Sequence, residues 1–100
     1  MIRVSIVFTR QNKNTTWWYH TPAGADYSAY RLATYGSKIS DPINEVSPDE
    51  LTWRYSVNWT NQADYNAMMA DSIIVASMNA RNTYNSQNSI VSSVPQIQSI

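Results

Sequence analysis

Residues 51–59 read LTWRYSVNW. Leu51, Trp53, Tyr55, Val57 and Trp59 share one parity, while Thr52, Arg54, Ser56 and Asn58 share the other. Successive side chains of an extended chain point to opposite faces. The segment is therefore a strand with an aromatic face in a core and a polar face turned away from it. The same period of two runs through residues 2–9, where Ile2, Val4, Ile6 and Phe8 alternate with Arg3, Ser5, Val7 and Thr9. Val7 interrupts the polar side, which predicts that the second face of the sheet is partly covered as well.

Between these two strands the pattern changes twice. After a polar loop, RQNKN, comes TTWWYH (residues 15–20), which is β-branched and aromatic. It reads equally as a strand or as an ordered loop pinned by its rings. Pro22 has no N–H to donate and ends any ladder. Tyr27, Tyr30 and Ala33 then recur at intervals of three, with Leu32 and Tyr35 on the flanks. This predicts a helix over about residues 25–36, capped by Asp26 and closed by Gly36 in the left-handed conformation. KISDPINEV (38–46) carries a proline that a central strand does not tolerate, so it is an edge strand or an irregular extended piece. SPDE (47–50) has turn chemistry.

Beyond the decisive strand, Thr60 or Asn61 is placed to cap a second helix, with Asp64 complementing the dipole of its first turn. Tyr65, Met69, Ile73, Ala76 and Ala80 form its stripe, wide enough to cover a sheet. The helix is expected to end near Asn82, although the β-branched SIIVAS reads locally as strand too. NTYNSQNS reads as a turn, and IVSSV before Pro95 as a last strand at an edge.

The elements run strand, helix, strand, strand, helix, strand. This βαββαβ order is the ferredoxin-like α+β sandwich, an antiparallel sheet with both helices on one face. One hundred residues suit a single ferredoxin-like domain spanning 1–100. Seven basic residues balance seven acidic ones, and only 14% of the chain is charged. The basic residues are scattered, so neither nucleic acid nor an acidic membrane surface is an expected partner. The apolar runs are too short to span a bilayer. There is no cysteine, and the alternating first ten residues read as strand rather than export signal. Both points give an expectation of a cytoplasmic protein. A near-zero net charge lowers the repulsion between copies, and a four-stranded sheet leaves one face without helices. A homodimer with its sheets face to face is expected, with Arg54 serving the interface.

The chain resembles the dimeric α+β barrel group of ferredoxin-like proteins, which includes the antibiotic-biosynthesis-type monooxygenases. The resemblance lies in element order and length across nearly the whole chain. IRVSIVF (2–8), YSVNWTNQADYNAM (55–68) and TYNSQNSI (83–90) are its most telling pieces. It implies a dimer and, in some members, a small organic molecule held between sheet and helices. The group has no universal catalytic motif, so no catalytic residue is carried over. Pro42 and the long insertion QNKNTTWWYHTP (11–22) depart from its pattern.

Four tryptophans and seven tyrosines call for an explanation. One reading is a small core filled with large side chains, with Met68, Met69 and Met78 as further filler. The other is a cleft for a small apolar or aromatic ligand, formed by Trp17, Trp18, His20, Tyr27, Trp53 and Tyr55. His20, the only histidine, is a candidate general base, because imidazoles titrate near neutrality. The alternative is a loop histidine that only tops the core. One histidine without cysteine does not make a zinc site, two glycines do not make a phosphate-cradling loop, and no cofactor is called for. Three functions remain: a small-molecule binder, a structural or interaction protein without such a site, and a cofactor-independent monooxygenase-like enzyme.

Overall fold

The computed structural model describes all 100 residues. β1 (Ile2–Arg10) lies at the centre of the sheet and β3 (Thr52–Trp59) pairs antiparallel with it, Val4 opposite Val57 and Phe8 opposite Trp53. The two alternating segments therefore turn their apolar parities to the same side. β2 (Ile39–Val46) adds to the far edge of β3, and β4 (Ile90–Ser92) with β5 (Gln96–Ser99) occupies the far edge of β1. The strand order β2-β3-β1-β4 is that of a ferredoxin-like sheet.

β2 is an edge strand, and its pairing with β3 is irregular between Ser40 and Ile43. Pro42 lies in that gap, and Asp41 takes a positive φ of 51°. The last strand differs from expectation because it continues beyond Pro95. β4 pairs with Phe8–Arg10 and β5 with Ile2–Ser5. In the gap between them Ser93 stands in for the ladder. Its backbone N–H donates to the Val7 carbonyl at 2.8 Å, and its hydroxyl accepts from the Val7 N–H at 2.9 Å.

The helices correct four boundaries. α1 spans Pro22–Tyr35, so Pro22 begins a helix as well as ending an extended segment. Its fixed φ and missing N–H suit the first helical position. Thr21, not Asp26, is the N-cap, accepting from the Gly24 N–H. Gly36 is right-handed, at φ −57°, and the chain continues as a 3-10 turn through Lys38. The second predicted helix is two helices, α2 (Gln62–Ala70) and α3 (Ser72–Gln87). Asn61 caps α2 through the Asp64 N–H. The break falls at Asp71, which is extended at ψ 126° and caps α3 through the Ile73 N–H. Its second carboxylate oxygen accepts hydroxyls from Tyr30 (2.7 Å) and Tyr35 (2.6 Å) of α1. SIIVAS is helical throughout. α3 runs five residues past Asn82, and this last stretch is packed against the rest of the fold: Tyr84 donates its hydroxyl to the Thr16 carbonyl, and Asn85 is buried. Packing here overrides the modest helix propensity of Asn, Thr and Tyr.

The main core lies between the helices and the apolar parity of β1 and β3. Trp59, Ile74 and Val57 are its most enclosed side chains, joined by Trp18, Tyr27, Tyr65 and Met68. A smaller cluster of Phe8, Trp17 and Ile90 closes one end. No helix is long and apolar enough to cross a membrane.

Candidate functional site

Residues 15–20 form no strand. They end in a single 3-10 turn, Trp18–His20, tied to the start of α1 by Thr21, whose hydroxyl donates to the Trp18 carbonyl at 2.5 Å. This turn and its N-cap, Trp17, sort four large side chains by depth. Trp18 drops into the main core against Tyr27, with ring centroids 5.6 Å apart. Trp17 enters the small cluster, where the Arg10 guanidinium lies 4.2 Å from its ring. Arg10 is held there by the Glu50 and Thr15 carbonyls. Tyr19 and His20 turn the other way, toward a cavity.

That cavity has a volume of about 350 Å³ and lies between sheet and helices. β1 contributes Val4, Ile6 and Phe8 to it, and β3 contributes Trp53, Tyr55, Val57 and Trp59. Tyr27, Ser28 and Arg31 come from α1, Tyr65, Met68 and Met69 from α2, and Met78 and Arg81 from α3. Tyr19, His20, Asn44 and Pro95 complete the lining. Of the six residues picked out in the sequence, His20, Tyr27, Trp53 and Tyr55 line the cavity, while Trp17 and Trp18 are core. His20 is exposed at the rim and stacks on Trp53, centroids 5.8 Å apart and planes inclined by 26°.

Besides the tyrosine hydroxyls and indole nitrogens, the polar groups of the lining are few: His20, Ser28, Asn44 and the guanidiniums of Arg31 and Arg81. Arg31 Nη1 donates to the Tyr55 hydroxyl at 3.0 Å, and Arg81 Nη1 to the Tyr19 hydroxyl at 3.1 Å. Burial pushes the Tyr27 phenol up to about 12, with Tyr19 adding to the rise while Arg31 and Arg81 oppose it. Tyr27 therefore keeps its proton near neutrality and is a hydrogen-bond donor there, not a base. Burial raises Tyr65 as well, again opposed by Arg81 and Arg31. No three His, Asp or Glu side chains gather closely enough to hold a metal ion.

The arginines and methionines are the part of the lining that sequence reading missed. Arg31 stands four residues after Tyr27 and Arg81 three after Met78, on the same helix faces as those two. Helical spacing thus carried the signal, but spacing alone does not separate an arginine that faces a cavity from one that faces solvent.

The same architecture occurs in solved proteins. No protein-family model matches the sequence, and no curated protein does. A candidate antibiotic biosynthesis monooxygenase from Deinococcus radiodurans superposes with a TM-score of 0.63 at 8% identity, covering 100% of this chain and 92% of that one. A point variant of SnoaB, a cofactor-independent oxygenase from Streptomyces nogalater, gives 0.64 at 12% identity, covering 99% and 91%. A further SnoaB structure gives 0.62 at 10% identity with the same coverage. The chain thus has the ferredoxin-like α+β fold of the antibiotic biosynthesis monooxygenase proteins, end to end.

Proposed function

We propose that this protein binds a small aromatic molecule in the cavity between its sheet and its helices. The observation that carries the reading is the unfilled volume itself. A small core built of large side chains would close on itself, since protein interiors pack densely. Here about 350 Å³ stays open beneath a rim histidine and against the aromatic parity of β3. Its size is at the lower end of ordinary ligand pockets. This favours the binding reading over that of a purely structural protein. Calorimetric titration with a panel of planar aromatic compounds tests it. Binding is expected, and it is expected to disappear in Ile6→Trp, which extends a lining side chain into the space. A panel without any binder, or binding unchanged in a folded Ile6→Trp variant, would overturn it.

A second reading has support in the likeness to SnoaB over nearly the whole chain. On that reading the bound molecule is a substrate and the protein a cofactor-independent oxygenase. His20 would take a proton from such a substrate: it lines the cavity, is exposed at its rim and stacks on Trp53. Oxygen uptake in the presence of the ligand, reduced by His20→Ala, is the expected result. Unchanged uptake in that variant would remove His20 from the role.

The helix-free face of the sheet, with Val7, Ile43 and Arg54, is proposed to meet the same face of a second copy. A standard interface would bury roughly 800 Å² per partner. Sedimentation that finds only monomer at micromolar concentration would overturn this.

A further inference from the structure

We propose that the occupant of the cavity is an aromatic acid whose anionic group lies against Arg31 and Arg81. This rests on the binding reading above and adds the charge of the ligand. The lining holds two guanidiniums and no carboxylate, although the chain has seven acidic residues. None of the seven lines the cavity, and four are engaged elsewhere: Asp71 holds Tyr30 and Tyr35, Asp64 accepts from Thr60, and Asp49 from Ser47. Asp41 lies on the far side of the sheet, where its carboxylate accepts from the Asn58 amide and its backbone carbonyl from Arg3.

Arg10 shows what a structural arginine looks like in this fold. It lies over the Trp17 ring at 4.2 Å, with Nε and Nη1 both taken by backbone carbonyls. Arg31 and Arg81 differ. Arg31 stands 5.5 Å from the Tyr55 ring centroid and spends a single N–H, on the Tyr55 hydroxyl. Arg81 stands 5.6 Å from Phe8 and bonds only neutral oxygens, of Tyr19 and Asn82. A guanidinium offers five N–H donors, so both keep unused capacity and an unneutralised charge. Their fields overlap, for each of them acts on both Tyr27 and Tyr65. An anion entering this half-dry space meets two cations with no carboxylate to displace, and charge-assisted bonds are the stronger kind. The aromatic walls hold the rings, and the guanidiniums select the charge.

The test uses a matched pair of two-ring probes, 1-naphthoate and 1-naphthamide, titrated calorimetrically into the intact protein at pH 7.5. The acid is expected to bind at least about tenfold more tightly, a difference of about 1.4 kcal/mol, and only its affinity should fall with added salt. In Arg31→Gln and Arg81→Gln the preference should shrink severalfold. Retained binding of the amide shows that the cavity still forms in each variant. If a variant binds neither probe, the salt dependence in the unmodified protein decides. Equal binding of both probes, or a preference untouched in both variants, overturns this inference and leaves the binding reading intact. Binding of neither probe by the unmodified protein overturns both.

Discussion

A methyl group at Gly24 tests how the rim of the cavity is held. Gly24 is the third residue of α1, buried where the helix start crosses the 3-10 turn. A Cβ there would stand 2.0 Å from the Trp18 carbonyl oxygen, 2.5 Å from Tyr19 Cα and 2.8 Å from the Trp18 carbonyl carbon. Ordinary carbon–oxygen contacts lie near 3.3 Å, so the turn must retreat by more than about 1 Å. All three atoms are backbone, so no rotamer change relieves the overlap. Trp18, only 4% exposed, resists the retreat. Overpacking of this kind costs about 1–3 kcal/mol or more, and the better helix propensity of alanine returns about 1 kcal/mol at most. A net loss of about 2 kcal/mol is expected, a fall in Tm of roughly 8–16 °C for a domain of this size. Gly36→Ala is the control. Its backbone is already right-handed, and its new Cβ meets only the exposed, flexible Leu32 side chain at 3.2 Å. That variant should be neutral or gain up to about 1 kcal/mol. Paired thermal melts followed by circular dichroism measure both. Aromatic ligand affinity should fall in Gly24→Ala alone, because Tyr19 and His20 move with the turn. Melts of the two variants within about 2 °C of each other would refute the reasoning.

Thr21→Ala removes both the cap on the Gly24 N–H and the bond to the Trp18 carbonyl, and should cost about 1 kcal/mol in chemical denaturation, largely restored by serine. Hydrogen bonds from Tyr35 and Tyr30 hold Asp71 below the ordinary carboxylate range. A lowered folded pKa gives stability that is present above the unfolded value and lost as pH falls through the folded one. Asp71→Asn should therefore be less stable than the parent at neutral pH, with the gap closing below about pH 4 in acid titrations. Asparagine still caps α3, so the gap reports the charge and the tyrosine bonds. Tyr27, raised to about 12, has the opposite sign: its contribution is present below pH 10 and lost as pH rises toward 12. Alkaline unfolding followed by fluorescence should be shallower in Tyr27→Phe.

The fold was legible because two segments, 2–9 and 51–59, alternate almost without fault, and such a pattern has one physical reading. Boundaries were less legible where a single residue has two uses. Pro22 ends an extended piece and begins a helix. Asp71 falls within the span of an apolar stripe that continues at regular spacing on both sides of it, and its bonds to two tyrosines some forty residues away and to the Ile73 N–H mark the break. Trp17 and Trp18 are adjacent to His20, but adjacency says nothing of depth. A 3-10 turn sends two of these neighbours inward and two toward the cavity. The arginines of the lining were visible in principle, since their helical spacing from Tyr27 and Met78 is regular.

The interruptions on the two outer strands also bear on how copies of this chain meet. An uninterrupted edge offers a row of unpaired N–H and C=O groups on which another strand can build. On one side Asp41 and Pro42 kink β2 in mid-course, and on the other Ser93 to Pro95 divides the last strand into pieces of three and four residues. Neither border gives a long unbroken template, which disfavours growth by strand addition at both. A repair such as Pro95→Val would restore a donor and lengthen the template. In the face-to-face dimer proposed above, both of these borders would stay outside the contact.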